Sequence, residues 1–217
     1  MSIFDPLRDR ANAAAYRIMY AMNPTKPPWE AHAPHPPLVE LLDRGIVRKG
    51  RALDAGCGLG TQAIFLAQSG FDVEAIDFQP QAIEQARANA AAAGVTCRFE
   101  RVDVSKRSSR QPYSLIIDRG CLHSLSPTAM RRYAENVKGW LAPGGHFQVS
   151  CFVWETPLEW LTPSMTPKMP AAKVIELFVG ELELIDRAQV RRWAPGRPKM
   201  LTFLFRRPCE PREVHGR

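Results

Sequence analysis

The chain has 217 residues, of which 45% are hydrophobic and 24% are charged. These proportions are ordinary for a globular protein and exclude a disordered chain or a fibrous repeat. No apolar run reaches the roughly 20 residues that a membrane-spanning helix needs. The 29 basic and 22 acidic residues are scattered, and the five cysteines contain no Cys-x-x-Cys pair. The composition therefore predicts a cytoplasmic protein with reduced thiols and a solvated basic surface, bound to neither nucleic acid nor a membrane.

The N-terminal region predicts a helix followed by a proline-rich cover. Asp5 precedes a proline, as at many helix starts, and apolar positions recur at helical spacing through Ile18 and Met22. Residues 24–37 hold six prolines together with Trp29, so they end the helix. The expected units are 1–37 (N-terminal helix and cover), 38–208 (main domain, with a substrate-covering insert at 154–170) and 209–217 (tail).

Strand and helix patterns alternate from residue 51 onward. Near-continuous apolar strands separated by helices predict a parallel sheet covered on both faces. The last third predicts two strands joined by a turn at 194–196, so one closing strand is antiparallel to the rest. The expected strands are 51–55, 73–77, 97–102, 114–118, 146–153, 182–191 and 200–206. The expected helices are 38–44, 61–69, 80–93, 127–141 and 171–179.

Glycines cluster where the first strand meets the next helix, in the segment Asp-Ala-Gly-Cys-Gly-Leu-Gly at 54–60. They let the chain turn tightly and let a ligand approach the backbone. A dinucleotide fingerprint needs its third glycine one residue later, where this chain has Thr61. Asp54 would repel a pyrophosphate and suits a cationic amine or backbone amides. The loop therefore favours an amino-acid-bearing nucleoside and disfavours a nicotinamide oxidoreductase.

Acidic residues also end the second and third predicted strands. Asp77 lies 21 residues after Gly56, where it could accept hydrogen bonds from both ribose hydroxyls. It could also cap the following helix, and both roles can hold at once. Asp103 could accept from the amine of an adenine with Val104 beside the ring, or be a plain loop residue.

Together these residues resemble the class I S-adenosylmethionine-dependent methyltransferases over about residues 38–153. The resemblance rests on the glycine motif, Asp77, Asp103, Asp118 and the Leu-Ala-Pro-Gly-Gly segment at 141–145. It implies an α/β, three-layer Rossmann-like fold whose seven-stranded sheet has the order 3-2-1-4-5-7-6, with strand 7 antiparallel. It also implies S-adenosyl-L-methionine as cofactor, with S-adenosyl-L-homocysteine as product. The residues expected to bind the cofactor are Trp29, Asp54, Gly56, Cys57, Gly58, Asp77, Phe78, Asp103, Val104 and Asp118.

Two segments also resemble a small-molecule branch of that class, which includes thiopurine and thiol S-methyltransferases and tellurite-resistance methyltransferases. They are Pro-Pro-Trp-Glu at 27–30 and Asp-Arg-Gly-Cys-Leu-His at 118–123. The resemblance implies a small-molecule methyl acceptor and a monomer or homodimer, with a sulfur or related chalcogen acceptor slightly favoured. One alternative is an N- or O-methyltransferase of a small aromatic metabolite, with His123 as base. Another is a non-catalytic S-adenosylmethionine-binding regulator or partner subunit.

The two segments rich in proline and aromatic residues, 24–37 and 154–170, are expected to converge over the crevice at the carboxyl ends of the strands. A thiol acceptor can supply its own anion, whereas an alcohol or ammonium needs a base such as His123. Arg119 could pair with Asp118, hold a substrate carboxylate or favour a thiolate. No metal-ligand set is visible. The expected substrate-side residues are Arg119, His123, Trp154 and Trp160, with Met165 and Met169 in the apolar ceiling.

Overall fold

The computed structural model describes residues 5–108, 112–161, 167–190 and 199–209. Its helices are α1 (Asp5–Met22), α2 (Pro36–Asp43), α3 (Thr61–Gln68), α4 (Pro80–Ala92), α5 (Pro127–Trp140), α6 (Pro157–Leu161) and α7 (Ala171–Phe178), with a 3-10 turn at Leu122–Ser124. Its strands are β1 (Arg51–Ala55), β2 (Asp72–Asp77), β3 (Arg98–Arg101), β4 (Tyr113–Arg119), β5 (Leu141–Trp154), β6 (Met169–Pro170), β7 (Glu183–Gln189) and β8 (Lys199–Arg206). The expected turn at 194–196 and the tail from residue 210 lie outside the described residues.

One sheet with the order β3-β2-β1-β4-β5-β8-β7 organises these elements. Strands β1 to β5 pair in parallel, and β8 is antiparallel to both of its neighbours. Since β7 and β8 are the sixth and seventh long strands, the predicted order 3-2-1-4-5-7-6 is confirmed. The short β6 was not expected. It pairs in parallel with the end of β5 through Val153 and Met169.

Apolar side chains fill both faces of the sheet, so the predicted three layers are confirmed. Alternate residues of β1 point to opposite sides: Leu53 packs with α5 and α7, while Ala52 packs with α2, α3 and α4. The carboxyl ends of β1, β2 and β4 therefore open at one edge, where loops rather than core side chains follow each strand.

Strand β5 begins five residues earlier than the predicted start at residue 146. The chain after β8 accounts for this extension, because Gly144 donates to the Arg207 carbonyl and Arg207 donates to the Gly145 carbonyl, both at 2.9 Å. In the described part of the chain, no helix combines the length and the apolar character needed to cross a membrane.

Candidate active site

Three glycines turn the chain between β1 and α3. Gly56, Gly58 and Gly60 have φ values of +75°, +54° and +82°, the left-handed region that favours glycine. A Cβ on Gly56 would lie 2.7 Å from the Cβ of Cys121, and one on Gly60 would lie 3.1 Å from the Cβ of Ala86. The loop therefore needs glycine both for its backbone shape and for its close approach to α4 and to the turn that follows β4.

Gly58 differs from its neighbours because its open side faces aromatic side chains. The nearest atoms to a Cβ there are the Tyr20 hydroxyl at 3.4 Å and the Trp29 indole nitrogen at 3.9 Å. Beside it, burial raises the pKa of the Cys57 thiol well above its usual value, so this cysteine is a neutral packing group. The predicted cofactor residue Trp29 therefore does lie over the glycine loop, together with a tyrosine from α1.

Asp77 connects the glycine loop to the start of α4. One carboxylate oxygen accepts from the Gly58 amide at 3.0 Å, and the other accepts from the Gln79 amide at 2.9 Å. Burial raises the pKa of Asp77, and these backbone hydrogen bonds oppose the rise. A carboxylate oxygen can accept more than one hydrogen bond, so the expected bonds to ribose hydroxyls stay possible beside this structural role.

Asp54 is buried at the end of β1 with 2% of its surface exposed. Burial raises the pKa of this carboxyl to about 8. The amide of Ala63 opposes the rise, while the charges of Asp118 and Asp77 add to it. Its Oδ2 atom has no hydrogen-bond partner among the described residues. A buried carboxylate oxygen without a partner fits a cationic amine.

Asp103, expected near an adenine, is held in its own turn. Its Oδ1 atom accepts from the amide and the hydroxyl of Ser105 at 2.8 and 2.7 Å, and Lys106 lies 3.2 Å from Oδ2. Burial would raise the pKa of Asp103, but these contacts lower it overall. Val104 is buried, while Phe78 is 39% exposed beside β2. Adenine binding by these residues stays a prediction.

Asp118 holds the turn after β4 and does not pair with Arg119. Its two oxygens accept from the amides of Cys121 and Leu122 at 2.7 and 3.0 Å. Burial raises the pKa of Asp118 to about 7, against the effect of these hydrogen bonds and of the nearby Tyr133 hydroxyl. The carboxylate therefore fixes the 3-10 turn that carries His123.

Arg119 points instead toward the proline-rich segment. Its Nη1 atom donates to the Trp29 carbonyl at 3.1 Å. Its Nε atom is buried and has no partner within the described residues. Burial lowers the pKa of Arg119, and the nearby carboxylates of Glu30 and Asp54 oppose this. A half-buried guanidinium whose Nε donor has no partner among the described residues can recognise an anion.

His123 is buried, with 5% of its surface exposed. Its Nδ1 atom accepts from the Phe152 amide at 3.4 Å, and the two rings meet edge to face. Burial lowers the pKa of His123 to about 4. The imidazole is therefore neutral at pH 7, with its proton on Nε2, where it can donate a hydrogen bond but not take up a proton. Its role as a base stays a prediction.

The proline-rich segment is tied to the sheet edge by buried polar contacts that sequence reasoning missed. Glu30 accepts from the Thr61 hydroxyl at 3.0 Å. His35 contacts the Ser150 hydroxyl through Nε2 at 3.0 Å, and Ser150 contacts Thr202 at 2.8 Å. Burial lowers the pKa of His35 to about 3. No feature of the sequence around His35 distinguishes this buried role from a surface one.

The second covering segment differs from expectation. Met169 is 6% exposed and belongs to the core beneath α7, because β6 draws it onto β5. Trp160 is 58% exposed on α6, whereas Trp154 is half-buried at the end of β5. Met165 lies outside the described residues. Among the described residues of this segment that were predicted to form the ceiling, Trp154 alone lies partly buried at the sheet edge.

Helix α1 lies where the apolar spacing predicts a helix. Its apolar positions Ile18 and Met22 are 58% and 80% exposed, while Tyr20 is 2% exposed. Tyr16 and Tyr20 both contact Trp29 edge to face, with ring centroids 5.1 and 5.4 Å apart. The inward face of α1 is thus aromatic and polar, and apolar periodicity could not find it.

The sheet order, the helices on both faces and the glycine loop after β1 together define the Rossmann-like fold of the class I methyltransferases. Residues 52–145 match the methyltransferase domain family. The predicted resemblance to methyltransferases is confirmed over this segment.

Relatives that are named as methyltransferases differ in the acceptor that their names give. The chain is 33% identical over 129 residues to the 2-heptyl-1-hydroxyquinolin-4(1H)-one methyltransferase of Mycobacteroides abscessus, covering 58% of this chain and 56% of that protein. It is 25% identical over 129 residues to the probable thiol methyltransferase 2 of Arabidopsis thaliana, covering 54% and 53%. The chain thus spans little more than half the length of these curated relatives.

A solved structure shows the same fold over nearly the whole chain. The 1,6-didemethyltoxoflavin-N1-methyltransferase of Burkholderia thailandensis superposes with a TM-score of 0.75 at 21% identity, covering 96% of this chain and 92% of that one. That protein was solved with its substrate and S-adenosylhomocysteine.

Proposed function

We propose that this protein transfers a methyl group from S-adenosylmethionine to a small-molecule acceptor. The observation that carries the proposal is the glycine loop inside the methyltransferase domain, with Asp54 and Asp77 at neighbouring strand ends. When bound, the cofactor supplies a methyl group on a positively charged sulfur. The chain's own residues would bind and orient the cofactor and the acceptor and would exclude water from them. These are the main requirements of such a displacement.

The residues of the loop fit this cofactor. The partnerless Oδ2 atom of Asp54 would hold the ammonium group, and Asp77 would hold the ribose hydroxyls. The left-handed backbone at Gly56 and Gly58 lets the ligand lie against the loop. Trp29 covers the loop from above and limits access of water.

For the acceptor, we place a thiol first. His123 is neutral and buried, and its Nδ1 atom is already used by the Phe152 amide. A few per cent of a typical thiol is ionised at neutral pH and is strongly nucleophilic, so such an acceptor needs no base. Arg119 favours an anion through its unused Nε donor. The thiol methyltransferase among the relatives supports this class.

The direct test is a panel of thiols, thiopurines, phenols and amines incubated with the labelled cofactor. Methylation of thiols is the expected result. Methylation of amines or phenols alone would replace the sulfur assignment with a nitrogen or oxygen one. Binding of S-adenosylhomocysteine without turnover on any acceptor would favour a non-catalytic binding protein.

A pH–rate profile separates the two ways of activating the acceptor. With two thiols of different pKa, the rate should rise following the pKa of each thiol, and His123→Ala should cost less than about tenfold. A lost general base costs about 10²–10⁴-fold. A profile that ignores the thiol pKa and collapses in His123→Ala would show that His123 is a base. Arg119→Ala should slow an acidic thiol more than a neutral one.

A further inference from the structure

Helix α1 meets the rest of the protein along one stripe of hydrogen-bonding and aromatic side chains. The stripe consists of Asp5, Asp9, Asn12, Tyr16 and Tyr20, at the three- and four-residue spacing of one helix face. A helix that packs as part of the core normally buries an apolar stripe instead. The contacts of α1 therefore call for an explanation other than core packing.

One part of the stripe binds the rim that follows β4. Asp9 accepts from the Ser126 hydroxyl at 2.9 Å, and Asn12 donates to the Ser124 carbonyl at 2.9 Å. Asp5 accepts from the hydroxyl of Thr128. These partners lie where the 3-10 turn passes into the N-terminus of α5, whose exposed amides favour carboxylates.

The opposite rim, after β2, also binds α1. Gln79 follows Asp77 closely, and its side chain donates to the Ala13 carbonyl at 2.7 Å. Because β1 lies between β2 and β4 in the sheet, a helix attached at both rims passes over the end of β1. That is where the glycine loop lies.

Two tyrosines project from α1 toward this crevice. The Tyr20 hydroxyl lies 3.4 Å from the Cβ position of Gly58, and the negative charge of Asp77 raises the pKa of Tyr20 further beyond the effect of burial. The Tyr16 hydroxyl shares a hydrogen bond with the Ser124 hydroxyl at 2.7 Å. The Tyr16 ring contacts Phe78 at a centroid distance of 6.0 Å. Tyr20 thus lies on the cofactor side and Tyr16 toward the β4 side.

We propose that α1 is the closing wall of the methyl-transfer site, with Tyr20 binding the cofactor over Gly58 and Tyr16 lining the acceptor side, so that α1 must lift for the cofactor to exchange. This inference rests on the proposed function. A wall of aromatic rings excludes water from the reacting groups. Its attachment consists mainly of polar contacts, with one small apolar cluster of Tyr20, Leu59 and Ala82, so it can open locally without disrupting the main core.

Hydrogen exchange on the wild-type protein tests the opening directly. If α1 opens only when the ligand leaves, exchange of its amides slows by the factor 1 + [L]/Kd, about 100-fold when S-adenosylhomocysteine is present at 100 times its Kd. The amides of the exposed edge strand β7 serve as the internal control and should not respond. Exchange in α1 that does not depend on the ligand concentration would overturn the proposal.

A matched pair of variants on α1 tests whether Tyr20 contributes to cofactor binding. Tyr20→Ala should raise the Kd of S-adenosylhomocysteine by about tenfold or more, as for a buried aromatic anchor, and Tyr20→Phe should restore most of the affinity. Ile18→Ala, on the exposed face, should leave the Kd within about twofold. Equal affinities for Tyr20→Ala and Ile18→Ala in folded protein would overturn the proposal. If the wild type binds no S-adenosylhomocysteine at all, the proposed function fails first, and this inference fails with it.

Discussion

Replacing Asp54 by Asn should stabilise the ligand-free protein while weakening its affinity for the cofactor. In the folded protein, burial raises the pKa of this carboxyl to about 8 from an ordinary value of 3.8. Its Oδ2 atom also lacks a partner among the described residues. The carboxyl is therefore more favourably placed in the unfolded chain, where it ionises in water, and it destabilises the fold.

The sign and size follow from proton linkage. A carboxyl whose pKa is raised in the folded state does not destabilise the fold at a pH below its pKa in the unfolded chain. The destabilisation grows as the pH rises from 3.8 toward about 8. At about 1.4 kcal/mol per pH unit, the cost at pH 7 is roughly 4 kcal/mol. The amide introduced by Asp54→Asn would leave one buried N–H donor unpaired. That unpaired donor lowers the stability by about 1–3 kcal/mol and offsets part of the gain. The expected net gain is therefore about 1–3 kcal/mol at pH 7.

Urea unfolding of the wild type and Asp54→Asn between pH 4 and pH 8 measures this difference. The gap between the two proteins should widen as the pH rises. Asp43→Asn, exposed at the end of α2, is the matched control for loss of a carboxylate and should track the wild type. A variant that is less stable than the wild type at pH 7, or a gap that does not change with pH, would refute the reasoning.

The same carboxyl should release a proton when the cofactor binds, because a cationic ammonium beside Asp54 favours its ionised form. Calorimetry with S-adenosylhomocysteine at pH 7, in buffers of different ionisation enthalpy, should show close to one proton more released by the wild type than by Asp54→Asn. Equal release by the two proteins would place the ammonium elsewhere.

Further predictions concern the rest of the loop. Asp77→Ala should weaken S-adenosylhomocysteine binding by roughly 1.5–3 kcal/mol, the scale of a lost charge-assisted hydrogen bond, whereas tight NAD binding by the wild type would contradict the assignment. Gly56→Ala should lower the thermal midpoint by several degrees or prevent folding, since its Cβ would lie 2.7 Å from that of Cys121; a midpoint equal to that of the wild type would show that the loop can relax. Activity should survive EDTA, and a loss restored by Mg²⁺ would show that Asp118 had been misassigned to the turn.

The sequence was enough to predict the sheet and the position of the cofactor loop. Parallel strands that are buried on both faces appear in the sequence as near-continuous apolar runs. The closely spaced glycines at 56, 58 and 60 indicate a tight turn with left-handed φ values. The strand ends then follow from the topology alone. Asp54, Asp77 and Asp118 all lie where the pattern predicts them.

The cover could not be predicted in the same way, because it is held by specific polar contacts. Hydrophobic periodicity predicts a helix through Ile18 and Met22, yet both residues are exposed and the helix docks through side chains such as Asp9 and Tyr16. The contact of His35 with Ser150 joins residues 115 positions apart. Such pairings depend on the folded geometry and leave no local pattern to detect.

The distribution of buried polar groups separates the two parts of this protein. In the core, apolar side chains meet on both faces of the sheet, and stability increases with burial. At the carboxyl ends of β1 and β4, the chain instead carries the buried Asp54 and the half-buried Arg119, each with one buried atom that has no partner among the described residues. A fold selected for stability alone would replace both, because a buried polar atom without a hydrogen-bond partner costs about 1–3 kcal/mol. A cationic amine would pair with the Asp54 atom and an anionic group with the Arg119 atom, so ligand binding would return stability at both positions.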